Sequence, residues 1–255
     1  MRHFHEQLDE LFQRLVLMGS LAEGMIRTAV RSLMEQDESL AAEVFVHEQE
    51  INFLQVEVDD KAVRLTALQQ PVAQDARFLF MASRIGGELE RIGDLAVNVC
   101  QNTHHVLDGP PLKPLVDLTI MCQVVEKMVR ESVTAMVNRD ATMADGVLEE
   151  EERVDAFRDQ VFRILLTHMM ADARMIPQCL SLILIARNLE RVGDHATNIA
   201  EEVIYWIKGR DIRHQHQQRH AAPSSDNGSA AASALDSESL SDRIVGDSTG
   251  IGKDA

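Results

Sequence analysis

The chain repeats itself: the segment LERIGDLAVNV at 89–99 returns as LERVGDHATNI at 189–199. Seven of the eleven positions are identical, and three more exchange aliphatic or nearly isosteric side chains (Ile92/Val192, Val97/Thr197, Val99/Ile199). Only Leu95/His195 differs in kind. The fold must therefore be a unit that can be built twice in one chain. Weaker matches extend the repeat upstream: Met18/Met121, Met25/Met128, Arg27/Arg130 and Asp37/Asp140.

Within each half the hydrophobic period is helical. Leu8, Leu11, Leu15, Met18, Leu21, Met25 and Ala29 recur at steps of three and four. Breaks fall at Asp37-Glu38-Ser39, at Pro71, at DGPPLKP (108–114), at Asn138-Arg139-Asp140 and just after 171. They leave six long runs, the last ending near Lys208 with Gly209 as its C-cap. Aromatics are only 4% of the chain, and a core of Leu, Val, Ile, Ala and Met suits helices better than sheets. Long antiparallel helices joined by short turns make bundles. The expected fold is all-α: two pseudo-symmetric three-helix bundles, one over 1–108 and one over 109–212. From 213 to 255 the composition turns to Ser, Ala, Asp and Gly without a sustained apolar stripe, and that tail is expected to be disordered.

A net charge of −16 speaks against general nucleic-acid binding, which needs a basic surface. The three cysteines form no C-x-x-C pair, so neither a disulfide framework nor a zinc knuckle is indicated. The amphipathic N-terminus lacks a secretory apolar core, and no run is long enough to span a membrane. A cytoplasmic chain without membrane insertion is the expectation. Gly-rich phosphate loops, nucleophile elbows and H-E-x-x-H are missing, and no His lies three residues after a Glu as di-iron bundles need. We therefore expect a non-enzyme, with a metal-dependent enzyme built on carboxylate clusters and a ligand-free helical scaffold as the alternative readings.

On a helical wheel the repeated segment divides into two faces. Ile85, Leu89, Ile92, Ala96 and Val99 make a core seam. Glu90, Asp94, Asn98 and Gln101 fall opposite, as do Glu190, Asp194, Asn198 and Glu201. Carboxylates four residues apart on one helix repel by a few tenths of a kcal/mol, yet both halves keep them, which points to a use. Oxygen-only ligands suit a hard or borderline cation, and a neighbouring helix must complete the shell. The fifth helix offers Glu151, Asp155 and Asp159, and the second offers Glu48, Glu50, Glu57, Asp59 and Asp60. Gly93 and Gly193 point to close helix packing, while Arg91 and Arg191 could meet a carboxylate or an anion.

The doubled LER[I/V]GD-x-A-x-N[I/V] segment, with PVAQDAR at 71–77 and NIAEEVIYWIKG at 198–209, resembles the PhoU family over residues 1–210. The resemblance implies two three-helix bundles and a negative regulator of phosphate uptake and of the phosphate-starvation response. It implies partners, a phosphate ABC transporter and a membrane sensor histidine kinase, and a homodimer. It also implies surface metal clusters of iron, zinc or other ions such as magnesium or manganese. Carried over by position, the metal residues are Glu90, Asp94, Glu190 and Asp194 with Asn98 and Asn198 adjacent. Asp75 and Arg77 match a family D-x-R segment, which the second half carries in shifted register as Asp172-Ala173-Arg174.

Overall fold

Residues 2–109 and 116–212 are described by a computed structural model, and among them there is no strand. The first half is three helices: α1 (Arg2–Glu35), α2 (Ala41–Gln69) and α3 (Ala73–Leu107). The second is α4 (Val116–Asn138), α5 (Ala141–Leu148), α6 (Glu151–Ala171) and α7 (Ile176–Lys208). The fifth run, expected as one helix, is thus broken at Glu149-Glu150. There the backbone tightens, with Glu150 N–H donating to the Val147 carbonyl three residues back. The Glu150 carboxylate is drawn onto Lys127 of α4 at 2.7 Å and Arg153 at 3.1 Å, which holds the joint in place.

Local chemistry sets the remaining boundaries. Asp140 caps α5, its carboxylate accepting from the Thr142 and Met143 amides at 2.9 and 3.1 Å. Its repeat partner Asp37 accepts from Ser39 in the same way at 2.9 Å. Gly209 ends α7 at φ 64°, its N–H returning to the Tyr205 carbonyl at 2.8 Å. A β-carbon there would sit 3.4 Å from the Arg77 guanidinium, so both conformation and space favour glycine.

The described residues form one compact unit. Its two halves meet along α3 and α7, the last helix of each, and α1 touches α4 beside them. One continuous apolar core, from Leu8 to Trp206, runs through both halves. An aromatic group ties them at one end. Phe12 of α1, Phe78 of α3 and Trp206 of α7 have ring centroids 5.3–6.2 Å apart, and the Arg139 guanidinium lies 4.7 Å over Trp206. The expectation of a disordered tail from 213 concerns residues outside those described.

Candidate carboxylate sites

The core seam is as the wheel requires. Ile85, Leu89, Ile92, Ala96 and Val99 are fully buried, and so are Ile185, Leu189, Val192, Ala196 and Ile199. The repeated glycines let a neighbouring helix come close. A β-carbon on Gly93 would stand 3.1 Å from Ile51 of α2 and 3.4 Å from Met25 of α1. On Gly193 it would stand 3.6 Å from Val154 of α6 and 3.7 Å from Met128 of α4.

These contacts fix the register between the halves. Ile51 matches Val154 as Met25 matches Met128, and both pairs lie 103 positions apart. The same step pairs Val44 with Val147 and Val58 with Val161, all buried, so the break before α6 leaves the register intact. It also pairs Glu48 with Glu151, Asn52 with Asp155 and Gln55 with Arg158. Each half therefore carries a four-residue polar pair on its middle helix beside the Glu-x-x-x-Asp of its last helix. The first site has Glu48, Asn52, Glu90 and Asp94. The second has Glu151, Asp155, Glu190 and Asp194.

The fields at the two sites differ. Glu90 has a raised pKa, from burial first and then from Asp94 and Glu48. Arg91 opposes this, lying 3.5 Å from Glu90 and 3.6 Å from Asp94. Asn52 donates to Glu48 at 2.6 Å and adds no charge. In the second site burial, Glu190, Glu151 and Asp155 push Asp194 up to about 6. The cation here comes from α6: Arg158 bonds Asp155 at 2.9 Å, Asp159 at 3.0 Å and Glu190. Arg191, the repeat partner of Arg91, makes no ion pair among the described residues.

The stripe does not face water along its whole length. Glu201 is 8% exposed and Glu202 2%. Burial raises both to about 7; Glu151 adds to it for Glu201, whereas Arg84, 3.0 Å from Glu202, pulls Glu202 down. Asn198 is turned away from the carboxylates of its own helix. It donates at 3.1 Å to Glu88 of α3, whose other bond, at 2.7 Å, is to His195. Although burial works the other way, these two bonds hold Glu88 below its ordinary pKa. In this structure the α3–α7 seam thus engages the Asn198 amide. Asn98 stays on the first-site helix, half-buried, its carbonyl accepting from Asn102 at 2.7 Å.

Asp75 and Arg77 belong to neither site. They lie in the first turns of α3, ~20 Å along the helix from Glu90. Asp75 lines a small pocket with Phe12, Phe78, Arg139 and Trp206, and Arg77 underlies Gly209. Asp159 is held on the outside of α6 by Arg158.

Oxygen donors of this kind fit a hard or borderline cation. As the side chains stand, no three His, Cys, Asp or Glu among the described residues converge closely enough to hold one. In the second site the carboxylates are bridged by a guanidinium. A cation there would have to displace Arg158 from Asp155 and Glu190.

The PhoU domain family model matches residues 15–103 and 118–203, both repeats. A Pseudomonas putida protein named phosphate-specific transport system accessory protein PhoU homolog is 35% identical over 222 residues, covering 87% of each chain. A Serratia marcescens accessory protein PhoU is 32% identical, covering 83% of this chain and 87% of that protein. Among solved structures, PhoU from Pseudomonas aeruginosa superposes with a TM-score of 0.78 at 36% identity, over 81% of this chain and all of that one.

Proposed function

The chain belongs to the PhoU family, and from that membership we propose that it is an accessory protein of phosphate-specific transport that restrains phosphate uptake and the phosphate-starvation response. In this reading it acts by contact, not by catalysis, between a phosphate ABC transporter and a membrane sensor histidine kinase. The observation that supports it most is that the family match runs through both repeats and takes in both carboxylate sites. No helix among the described residues is long and apolar enough to cross a membrane, which suits a chain that meets membrane proteins from the cytoplasmic side. Deleting the gene should derepress a phosphate-starvation reporter in phosphate-replete cells. An unchanged reporter in a strain without a second copy would remove the proposal.

We extend the proposal to metal. The residues that would hold an ion are Glu151, Asp155, Glu190 and Asp194 in one half, and Glu48, Glu90 and Asp94 in the other. A bound cation would supply positive charge that now comes from Arg158 and Arg91. Elemental analysis of purified protein tests it: metal should be present, and should fall in the Asp94→Ala plus Asp194→Ala variant. A homodimer belongs to the same proposal and is read by sedimentation velocity.

A further inference from the structure

Between α6 and α7 lies a groove of about 410 Å³, lined by Arg158, Asp159, Phe162, Ile183, Arg187 and Arg191 among others. Its apolar surface continues along both helices. Phe162 and Leu166 are exposed on α6, and Leu180 and Leu184 on α7. On α7 the residues Leu180, Leu184, Arg187 and Arg191 follow at helical steps of four, three and four, so they share one face.

Only part of the charge of this groove is settled from within. Arg158 takes up Asp155, Asp159 and Glu190. Arg163 gives its Nε–H to the Asp159 carbonyl at 3.2 Å. Arg187 and Arg191 are left with no hydrogen bond or ion pair among the described residues. Both are exposed. The first half treats the same face otherwise. There Arg84 is held by Glu202 at 3.0 Å, and Arg91 by Glu90 and Asp94. Asp59 and Gln55 stand where α6 has Phe162 and Arg158.

In a chain of net charge −16, two unneutralised guanidiniums at the end of an exposed apolar strip make a local cationic patch. We infer that the α6–α7 groove is a docking surface for an acidic amphipathic helix of a partner protein. Apolar side chains of that helix, one turn apart, would lie on Phe162, Leu166, Leu180 and Leu184. Its carboxylates would reach Arg187 and Arg191, whose planar forks match them. The inference rests on the reading of this chain as an accessory protein that works by contact, and names the chemistry of one contact.

The test uses the full chain and a synthetic helical peptide of about 20 residues, ~30 Å long, with Leu along one face and Glu flanking it. Binding is followed by fluorescence anisotropy. The long-range field of an acidic protein repels such a peptide, so saturable binding marks a local cationic site. Binding is expected, with a loss of about tenfold or more in Arg187→Glu plus Arg191→Glu and a similar loss in Phe162→Ser plus Leu184→Ser. All four positions are exposed, and circular dichroism checks that the variants stay folded. No saturable binding, or binding unchanged in both variants, overturns the inference. So does self-association that disappears in the arginine variant, because a second copy would then be the occupant. None of these outcomes alters the reporter experiment, and a failed reporter experiment leaves the peptide result standing.

Discussion

In the first half Glu48 and Asn52 stand beside Glu90 and Asp94; in the second half Glu151 and Asp155 stand beside Glu190 and Asp194. The frame is the same, set by buried Leu, Ile and Val and by a glycine at the helix contact. The charge is balanced in different ways. The first site has one carboxylate fewer and an arginine on the same helix as its Glu and Asp. The second keeps all four and brings in Arg158 from the neighbouring helix. Packing constrains the seam identically in both halves. The electrostatic solution is free to diverge, provided that each cluster finds a cation.

The halves differ most where they meet, and that difference is open to the largest test. Glu88 accepts from His195 and Asn198 across the α3–α7 seam, whereas its repeat partner Asn188 makes no comparable bond among the described residues. Glu88→Ala leaves two partly buried donors unmatched and is expected to lower stability by about 2–3 kcal/mol in urea unfolding. Asn188→Ala should stay within about 0.5 kcal/mol. Equal effects would mean that the seam adds nothing particular.

A second contrast is between Glu201 and Gln101. Glu201 is buried with its pKa raised to about 7 from 4.5. The folded state therefore holds its proton more tightly than the unfolded state. Its contribution is complete below pH 4.5 and is lost as the pH rises through 7. Glu201→Gln should therefore stabilise the protein by roughly 1–3 kcal/mol at pH 8 and by little at pH 4. Gln101→Glu, on an exposed position, should change stability by less than about 0.5 kcal/mol at either pH. Thermal melts at the two pH values decide it.

These contrasts show which parts of the molecule the sequence reveals. The seam at Leu89, Ile92 and Ala96 is legible because one period, 3.6, dictates it. The glycines are legible because a helix tolerates them only for a reason. The partners of the carboxylates were legible in principle. Met25/Met128 carries the 103-residue step that pairs Glu48 with Glu151 and Asn52 with Asp155, but the step must be followed through α2. The Glu88–His195–Asn198 cluster was hidden for a physical reason. Reading one repeat against the other favours positions that agree, and Leu95/His195 looks like drift. Contacts between the halves are made by residues that face the other half, and nothing requires these to match. The break at Glu149-Glu150 was hidden too: the ion pair that Glu150 makes there is to Lys127 of another helix, which local sequence does not reveal.

If the sites bind metal as proposed, the charge of each can be shifted by one unit. Asn52→Asp restores the fourth carboxylate to the first site. Arg158→Gln gives the second the residue that the first has in Gln55. Asn52→Asp adds a negative charge and Arg158→Gln removes a positive one, so each makes its site one unit more negative and should tighten binding of a divalent ion such as Mn²⁺ or Zn²⁺ by about tenfold, near 1.4 kcal/mol. Isothermal titration calorimetry reads the constants, and elemental analysis reads the stoichiometry. Affinities unmoved by either change would place the metal elsewhere, or nowhere on these helices.

The smallest contrast is the cleanest, because it compares one methyl group at two equivalent points. Alanine is favoured over glycine inside a helix by about 1 kcal/mol. At Gly193 the new methyl would meet Val154 and Met128 at 3.6 and 3.7 Å, ordinary packing distances. Gly193→Ala should therefore gain roughly 0.5–1 kcal/mol. At Gly93 it would lie 3.1 Å from Ile51, a branched side chain with no exposure, and 3.4 Å from Met25. The end of Met25 can move; Ile51 is fully buried and has little room. Gly93→Ala should therefore lose the propensity gain and fall about 1 kcal/mol or more below its counterpart. Paired urea titrations measure the difference directly. If both alanines stabilise equally, the first half is packed no more tightly at this point than the second, and the tighter approach of α2 to α3 would not distinguish the two sites.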